Sequence, residues 1–223
     1  MAYIRHHLIV VLLMIVIVGT ALAQTVSGKP VPRVPDVNGW FVLFNGKGLS
    51  GWSVVDGLEL SGRGPRSYLF SPGTYRNFIL QFEAKLNAKG DSGIVLRSAL
   101  ETGEPKGYEV QLCNSGNAPQ KTGSLYNFQK ILERTVADDE WSTQTIVAIG
   151  KRILIEVNGK LLVDYTDKES TYGEGHIAFQ QHDHASQVNF KNIRIKPMPD
   201  DIVTALEGLA KIFPSLVEEK KND

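Results

Sequence analysis

The chain has 223 residues, with 24 Lys plus Arg against 24 Asp plus Glu, and one cysteine. Zero net charge removes the electrostatic footprint that nucleic acid or an anionic membrane would require, so a neutral polar ligand is the better-matched partner. A lone cysteine closes no internal disulfide, and the roughly 160 residues between the terminal extensions suffice to bury a core without disulfides or metals.

At the N-terminus, Arg5 precedes the apolar run Leu8 to Val18, and Ala21-Leu22-Ala23 supplies small residues for a signal peptidase. Residues 1–23 are therefore expected to be a signal peptide, which makes the mature protein periplasmic or secreted. The run falls short of the ~20 apolar residues of a spanning helix. No later apolar span follows, so no membrane attachment is expected after cleavage. Residues 24–37 carry Pro30, Pro32 and Pro35 without periodicity and read as an extended linker.

From Asn38 to Met198 short alternating runs recur between turn signals: Trp40 to Phe44, Ser67 to Phe70, Phe78 to Leu86, Ile94 to Ser98, Tyr108 to Cys113, Gln144 to Ile149, Ile153 to Val157, Leu161 to Tyr165, Ile177 to Gln181 and Val188 to Ile195. That spacing predicts an all-β sandwich. Asn158-Gly159 between two apolar runs predicts a tight hairpin, because both central residues of a primed turn tolerate positive φ. In the last run Val188 and Phe190 share one parity and Ile193 and Ile195 the other, which predicts a bulge near Lys191-Asn192. Beyond Pro199, Ile202, Leu206, Leu209 and Phe213 recur at helical intervals, with Asp200 or Asp201 as cap. Residues 199–223 are thus expected to form a short amphipathic helix, packed on the outside of the sandwich, and a tail.

Functional candidates come from the polar faces of these strands. In Tyr108-Glu109-Val110-Gln111-Leu112 strict alternation displays Glu109 and Gln111 side by side. In Phe78 to Leu86 it turns Gln81, Glu83 and Lys85 away from the core. Arg97 has the parity of Val95 and is expected to share a face with Glu109, where a carboxylate and a guanidinium recognise hydroxyls. Ala178, Gln180, His182 and His184 share a parity, and because imidazole is the side chain whose proton comes and goes near neutral pH, His182 beside a carboxylate is an acid/base candidate. Trp52, Tyr126 and Trp141 lie near turns, where a ring stacks on the apolar face of a sugar. Against these stand plainer readings: a cross-strand salt bridge on a solvated sheet, and aromatic packing. The two histidines lack a third ligand at metal-binding spacing. Cys113 reads as a packed thiol.

Together Phe41 to Trp52 (FVLFNGKGLSGW), Ser92-Gly93-Ile94-Val95-Leu96-Arg97, Gly107-Tyr108-Glu109-Val110-Gln111, Gly123-Ser124-Leu125-Tyr126, Glu140-Trp141, Asn158-Gly159, Gly175 to His182 (GHIAFQQH) and Asn192 to Lys196 (NIRIK) resemble the 3-keto-disaccharide hydrolase domain family. The resemblance runs from about Asn38 to Met198 and implies a concanavalin A-like jelly roll. It also implies an exported glycan-processing hydrolase acting on sugars already oxidised to a ketone. The ketone acidifies the proton on the carbon between it and the anomeric centre, so a base removes that proton, the aglycone is eliminated, and water adds. For that chemistry Glu109 and His182 are the candidate base and acid, in either order, and Arg97, Gln111, Glu83, Gln180, Tyr126 and Trp141 are the candidate substrate-binding residues. No cofactor is implied; a structural calcium would suit the fold, but no ligand loop is recognisable. Asp91 and Ser142 stand where the family pattern has Asn, Gln181 where it has Asp, and Lys191 where it has Arg. The position of Gln181 is expected to matter, since a carboxylate there would adjoin His182. Two other readings compete. A conventional glycosidase needs two carboxylates about 5 Å apart, the second drawn from another strand such as that of Glu83. A non-catalytic carbohydrate-binding module needs only the polar face and aromatic rims. No feature of the sequence specifies an oligomeric state.

Overall fold

Alternation of apolar and polar residues produces twelve strands in the computed structural model, which describes residues 35–44, 52–55, 59–100 and 103–218. The expected signal peptide and most of the expected linker lie outside them. The strands are β1 (Phe41–Val42), β2 (Trp52–Val55), β3 (Glu59–Gly62), β4 (Ser67–Phe70), β5 (Phe78–Leu86), β6 (Ser92–Ser98), β7 (Tyr108–Leu112), β8 (Ser142–Ile149), β9 (Arg152–Val157), β10 (Lys160–Thr166), β11 (His176–Gln181) and β12 (Val188–Pro197), followed by α1 (Ile202–Ile212) and α2 (Ser215–Glu218). They pair into an eight-stranded sheet in the order β10-β9-β8-β5-β12-β3-β2, with β1 on β12, and a four-stranded sheet β4-β11-β6-β7. Every registered pairing is antiparallel. The inner faces meet in one core, where Phe82, Phe179 and Phe190 stack edge to face at 4.9 to 5.8 Å between ring centroids. This is the expected jelly-roll sandwich.

The Asn158-Gly159 hairpin forms between β9 and β10, with φ +50 and +77 at its two central residues. The expected bulge in β12 falls between Lys191 and Arg194, with Asn192 at φ +53, and it returns Ile193 and Ile195 to the core side of Phe190. α1 is capped by Asp201, whose carboxylate accepts from the Thr204 amide at 2.9 Å. It seats Ala205 and Leu209 against Ile79, Val147 and Leu154 on the outer side of the large sheet. No helix of the described residues is long and apolar enough to cross a membrane. The strands β2 and β3 were not expected. Trp52, expected near a turn where a ring stacks on sugar, is instead a core residue of β2 packed 5.9 Å from Phe190.

Candidate functional site

The register of the small sheet builds the site. Val95 pairs with Glu109 and Gly93 with Gln111 across β6 and β7. On the other side of β6, Ala178 pairs with Val95 and with Phe70, and Gln180 pairs with Tyr68. These residues share the face turned away from the core. It is a recess rather than a solvated sheet surface: Val95 and Ala178 on its floor are 3% and 0% exposed, Gln111 and Gln180 3% and 6%. Tyr126 follows Leu125 in a loop beside β7, its amide donating to the Glu109 carbonyl at 2.8 Å next to the Val110 and Leu125 bridge.

Glu109 reaches across β6 and lies over Gly93, where an added Cβ would stand 2.6 Å from Oε1. Gln180 Nε2 approaches that oxygen at 3.5 Å and the Tyr68 hydroxyl at 3.3 Å, both long for hydrogen bonds. Gln180 Oε1 is buried without a partner. Burial raises the proton affinity of Glu109 and the neighbouring Asp91 charge raises it further, against His182 and Arg66. Asp91, in the turn before β6, accepts from Gln111 Nε2 at 2.8 Å, and burial raises its proton affinity as well. Its amide donates to Ser186 Oγ at 2.9 Å, and that hydroxyl donates to Asp183 Oδ1 at 2.8 Å.

Arg66 Nη2 meets His182 Nε2 at 2.8 Å. A guanidinium only donates, so Nε2 accepts and the ring proton sits on Nδ1, which donates to Asp183 Oδ2 at 3.1 Å. Arg66 also donates from Nε to the His182 carbonyl at 3.2 Å and pairs with Glu104. A carboxylate, a second carboxylate, a guanidinium, an amide and a phenol therefore converge on one recessed sheet face.

Several expected members stand elsewhere. Arg97 does not join Glu109. A bulge between β6 and β11 breaks the alternation, with Arg97 at φ +53. Its guanidinium is buried and donates to the carbonyls of Arg76 at 2.6 Å, Gly150 at 2.8 Å and Tyr172 at 3.2 Å. Gly107 and Gly175 press on this bulge; a Cβ on either would come within 2.4 Å of backbone atoms of Leu96 or Arg97. Glu83 lies on the outer face of the opposite sheet, accepting from Asn192 Nδ2 at 2.5 Å and pairing with Lys191 at 3.3 Å. A cleft of about 460 Å³ opens there, but its polar rim is self-paired, Glu83 with Asn192 and Arg194 with Gln81. Trp141 belongs to that side too, with Lys191 Nζ 4.0 Å and Lys85 Nζ 4.9 Å from its ring centroid. His184 leaves the strand and is exposed in a turn. Gln181 points to the core side, where Nε2 donates to the carbonyls of Asp183 at 2.6 Å and Ser186 at 2.8 Å. The carboxylate expected beside His182 comes from Asp183 instead.

Asp91, Tyr68 and Arg66 are additional members. Asp91 has the parity of Gly93 and Val95, and Tyr68 sits in a strand whose limits were legible, so the pleat alone points both at this face. Arg66 lies in a connection without periodicity and meets His182 across 116 residues, a contact for which the sequence carries no local signal.

The 3-keto-alpha-glucoside-1,2-lyase-like domain family matches residues 39–196. Among solved structures, a candidate glycosyl hydrolase of Parabacteroides distasonis ATCC 8503 is 26% identical, with a TM-score of 0.59 over 74% of this chain and 91% of the other. A second from the same organism is 22% identical, with a TM-score of 0.61 over 71% and 99%. The carbohydrate-binding module CBM66 of Bacillus subtilis shares the fold at 16% identity, with a TM-score of 0.52 over 73% and 99%. No curated protein matches the chain. With the family spanning the whole sandwich, including the face that carries Glu109, the chain belongs to the 3-keto-alpha-glucoside-1,2-lyase-like domain family.

Proposed function

We propose that this chain is a glycan-processing enzyme that cleaves 3-keto-glycosides by elimination and rehydration, working outside the cytoplasm once residues 1–23 have directed its export. One observation carries this reading: Glu109 is a half-buried carboxylate with raised proton affinity whose oxygens make no short hydrogen bond, in a recess that also offers donors. A base that removes a proton next to a ketone needs that combination, because desolvation strengthens the base and an unoccupied lone pair leaves room for the proton.

Glu109 suits the base role better than His182. The Nε2 lone pair of His182 is occupied by Arg66, and its Nδ1 proton is committed to Asp183. His182 then acts as a positioning group for Arg66, whose charge, with the Tyr68 hydroxyl, stabilises the enolate oxygen that forms as the proton leaves. Gln180 Oε1 and Gln111 supply hydrogen bonds to sugar hydroxyls, and the Tyr126 ring supplies an apolar contact. The family match and the glycosyl hydrolase relatives support a carbohydrate substrate.

A second reading has its own observation. Asp91 places another half-buried carboxylate on the face of Glu109, as a conventional two-carboxylate glycosidase requires. A pure binding module is less well supported, since Trp52 and Trp141 lie off this face.

The test incubates the purified mature protein, Glu109→Gln and His182→Ala with a 3-keto-glucoside and with the matching unoxidised glucoside. Release of the aglycone from the keto-sugar alone, abolished in Glu109→Gln, is the expected result. Release from the unoxidised sugar would favour the two-carboxylate reading, and binding of either without release would favour a carbohydrate-binding domain.

A further inference from the structure

Elimination needs an acid as well as a base. An alkoxide leaving group is poor until it is protonated, and His182, with its single ring proton bonded to Asp183, has none to give at Nε2. Besides the Tyr68 hydroxyl, already assigned to the enolate oxygen, the recess holds the Asp91 carboxyl. Asp91 is anchored at both ends, its amide on Ser186 Oγ and its Oδ1 on Gln111 Nε2, on the strand column that continues through Gly93 beneath the Glu109 carboxylate. The groups that face it are Glu109 and Gln111 from β7, Cys113 just after β7, and His182, Asp183 and Ser186 from the turn after β11. Burial raises the proton affinity of both carboxyls, and the Asp91 charge raises that of Glu109 further, the direction an acid–base couple needs.

We propose that Asp91 is the proton donor to the departing glycosidic oxygen, with Glu109 as the base; this rests on the 3-keto reading above. Glu109 takes the C2 proton, and the C2–H electron pair becomes an enolate on the C3 oxygen. That pair then returns to form the C1–C2 double bond as the C1–O bond breaks, and the leaving oxygen takes the Asp91 proton. Glu109 is now protonated and Asp91 ionised, the arrangement required for water addition. Asp91 removes a proton from water as its oxygen attacks C1, and Glu109 returns its proton to C2. Both groups are reset without a third residue or an external reagent.

The experiment compares methyl 3-keto-glucoside, whose methanol needs an acid, with 4-nitrophenyl 3-keto-glucoside, whose phenolate does not, and follows C2 deuterium incorporation in D2O by NMR. Asp91→Asn keeps the oxygen that Gln111 bonds. The expected result is methanol release slowed about 100-fold, nitrophenol release changed less than about 5-fold, and C2 exchange preserved. Glu109→Gln should lose exchange and both releases. Equal slowing of both substrates, unchanged methanol release, or loss of exchange in Asp91→Asn would overturn the proposal while the wild-type activity leaves the 3-keto reading standing. Wild-type protein that neither exchanges C2 nor releases either aglycone would overturn both.

Discussion

Glu109 lies directly over Gly93, the residue opposite its second neighbour Gln111, and a methyl group at 93 would meet Oε1 at 2.6 Å and Cγ at 3.1 Å. The glycine of the Ser92-Gly93 pair is therefore the space in which the carboxylate rests, not a backbone requirement: no positive φ is found there.

Gly93→Ala separates these two meanings. In a strand interior alanine is favoured over glycine by about 0.5–1 kcal/mol, which offsets the local crowding, so thermal stability should stay close to wild type. The displaced carboxylate should cost about 10–100-fold in cleavage of a 3-keto-glucoside, the scale of a misplaced reacting group. Melting curves and initial rates measured together check this; an unimpaired rate would show that Glu109 needs no such berth.

The raised proton affinity of Glu109 sets the sign of a second expectation. A group whose folded pKa exceeds its unfolded value contributes stability that is fully present below the unfolded pKa and is lost as pH rises through the folded one. Ionised Glu109 therefore works against the fold at neutral pH. Glu109→Gln should raise the melting temperature by about 2–4 °C at pH 7.5, with the gain vanishing near pH 4. Melting wild type and variant across that range tests it, and a gain independent of pH would contradict the burial argument.

Much of the sandwich was legible because pleat and core agree: Ser67–Phe70 and Phe78–Leu86 fall on the limits that alternation alone predicts. The phase change in β12 even located its bulge. The corresponding bulge at Arg97 was illegible, since Leu96-Arg97-Ser98 shows no change of hydrophobic phase there and the cause is the close approach of Gly107 and Gly175 from distant segments. Glu83 lies off the Glu109 face for a different reason. Alternation says that a side chain leaves the core but not which sheet it leaves from, and β5 belongs to the other sheet. β2 and β3 escaped because Val54-Val55 interrupts the period in one and Leu60 is the single apolar residue of the other, so neither separates from loop.

Arg97 gives a third expectation. Its guanidinium ties the bend at Arg76 just before β5, the β8–β9 turn and the loop at Tyr172 to one point through three carbonyls. Arg97→Ala strands all three, and should cost about 3 kcal/mol or more. Arg97→Lys keeps the charge but not the fork, and should recover only part of that loss. Activity per folded molecule should be nearly unchanged in the lysine variant, measured by urea unfolding beside initial rates. A selective rate loss with intact stability would return Arg97 to the substrate.

Gln181 closes the argument about the turn that carries His182, Asp183 and Ser186. Its amide is fully buried and donates to the carbonyls of Asp183 and Ser186, so it needs two protons on one nitrogen. Gln181→Glu is nearly isosteric but, when ionised, has none to give, and it places a charge among acceptors. The variant should lose about 3 kcal/mol at pH 8. Such a carboxyl binds its proton more tightly folded than unfolded, so the deficit should shrink as pH falls towards the ordinary Glu value. Because Ser186 Oγ also receives the Asp91 amide, cleavage by the surviving folded protein should fall as well. Urea unfolding at pH 5 and pH 8 decides it: an equal loss at both would mean that shape, not the missing donors, governs this position.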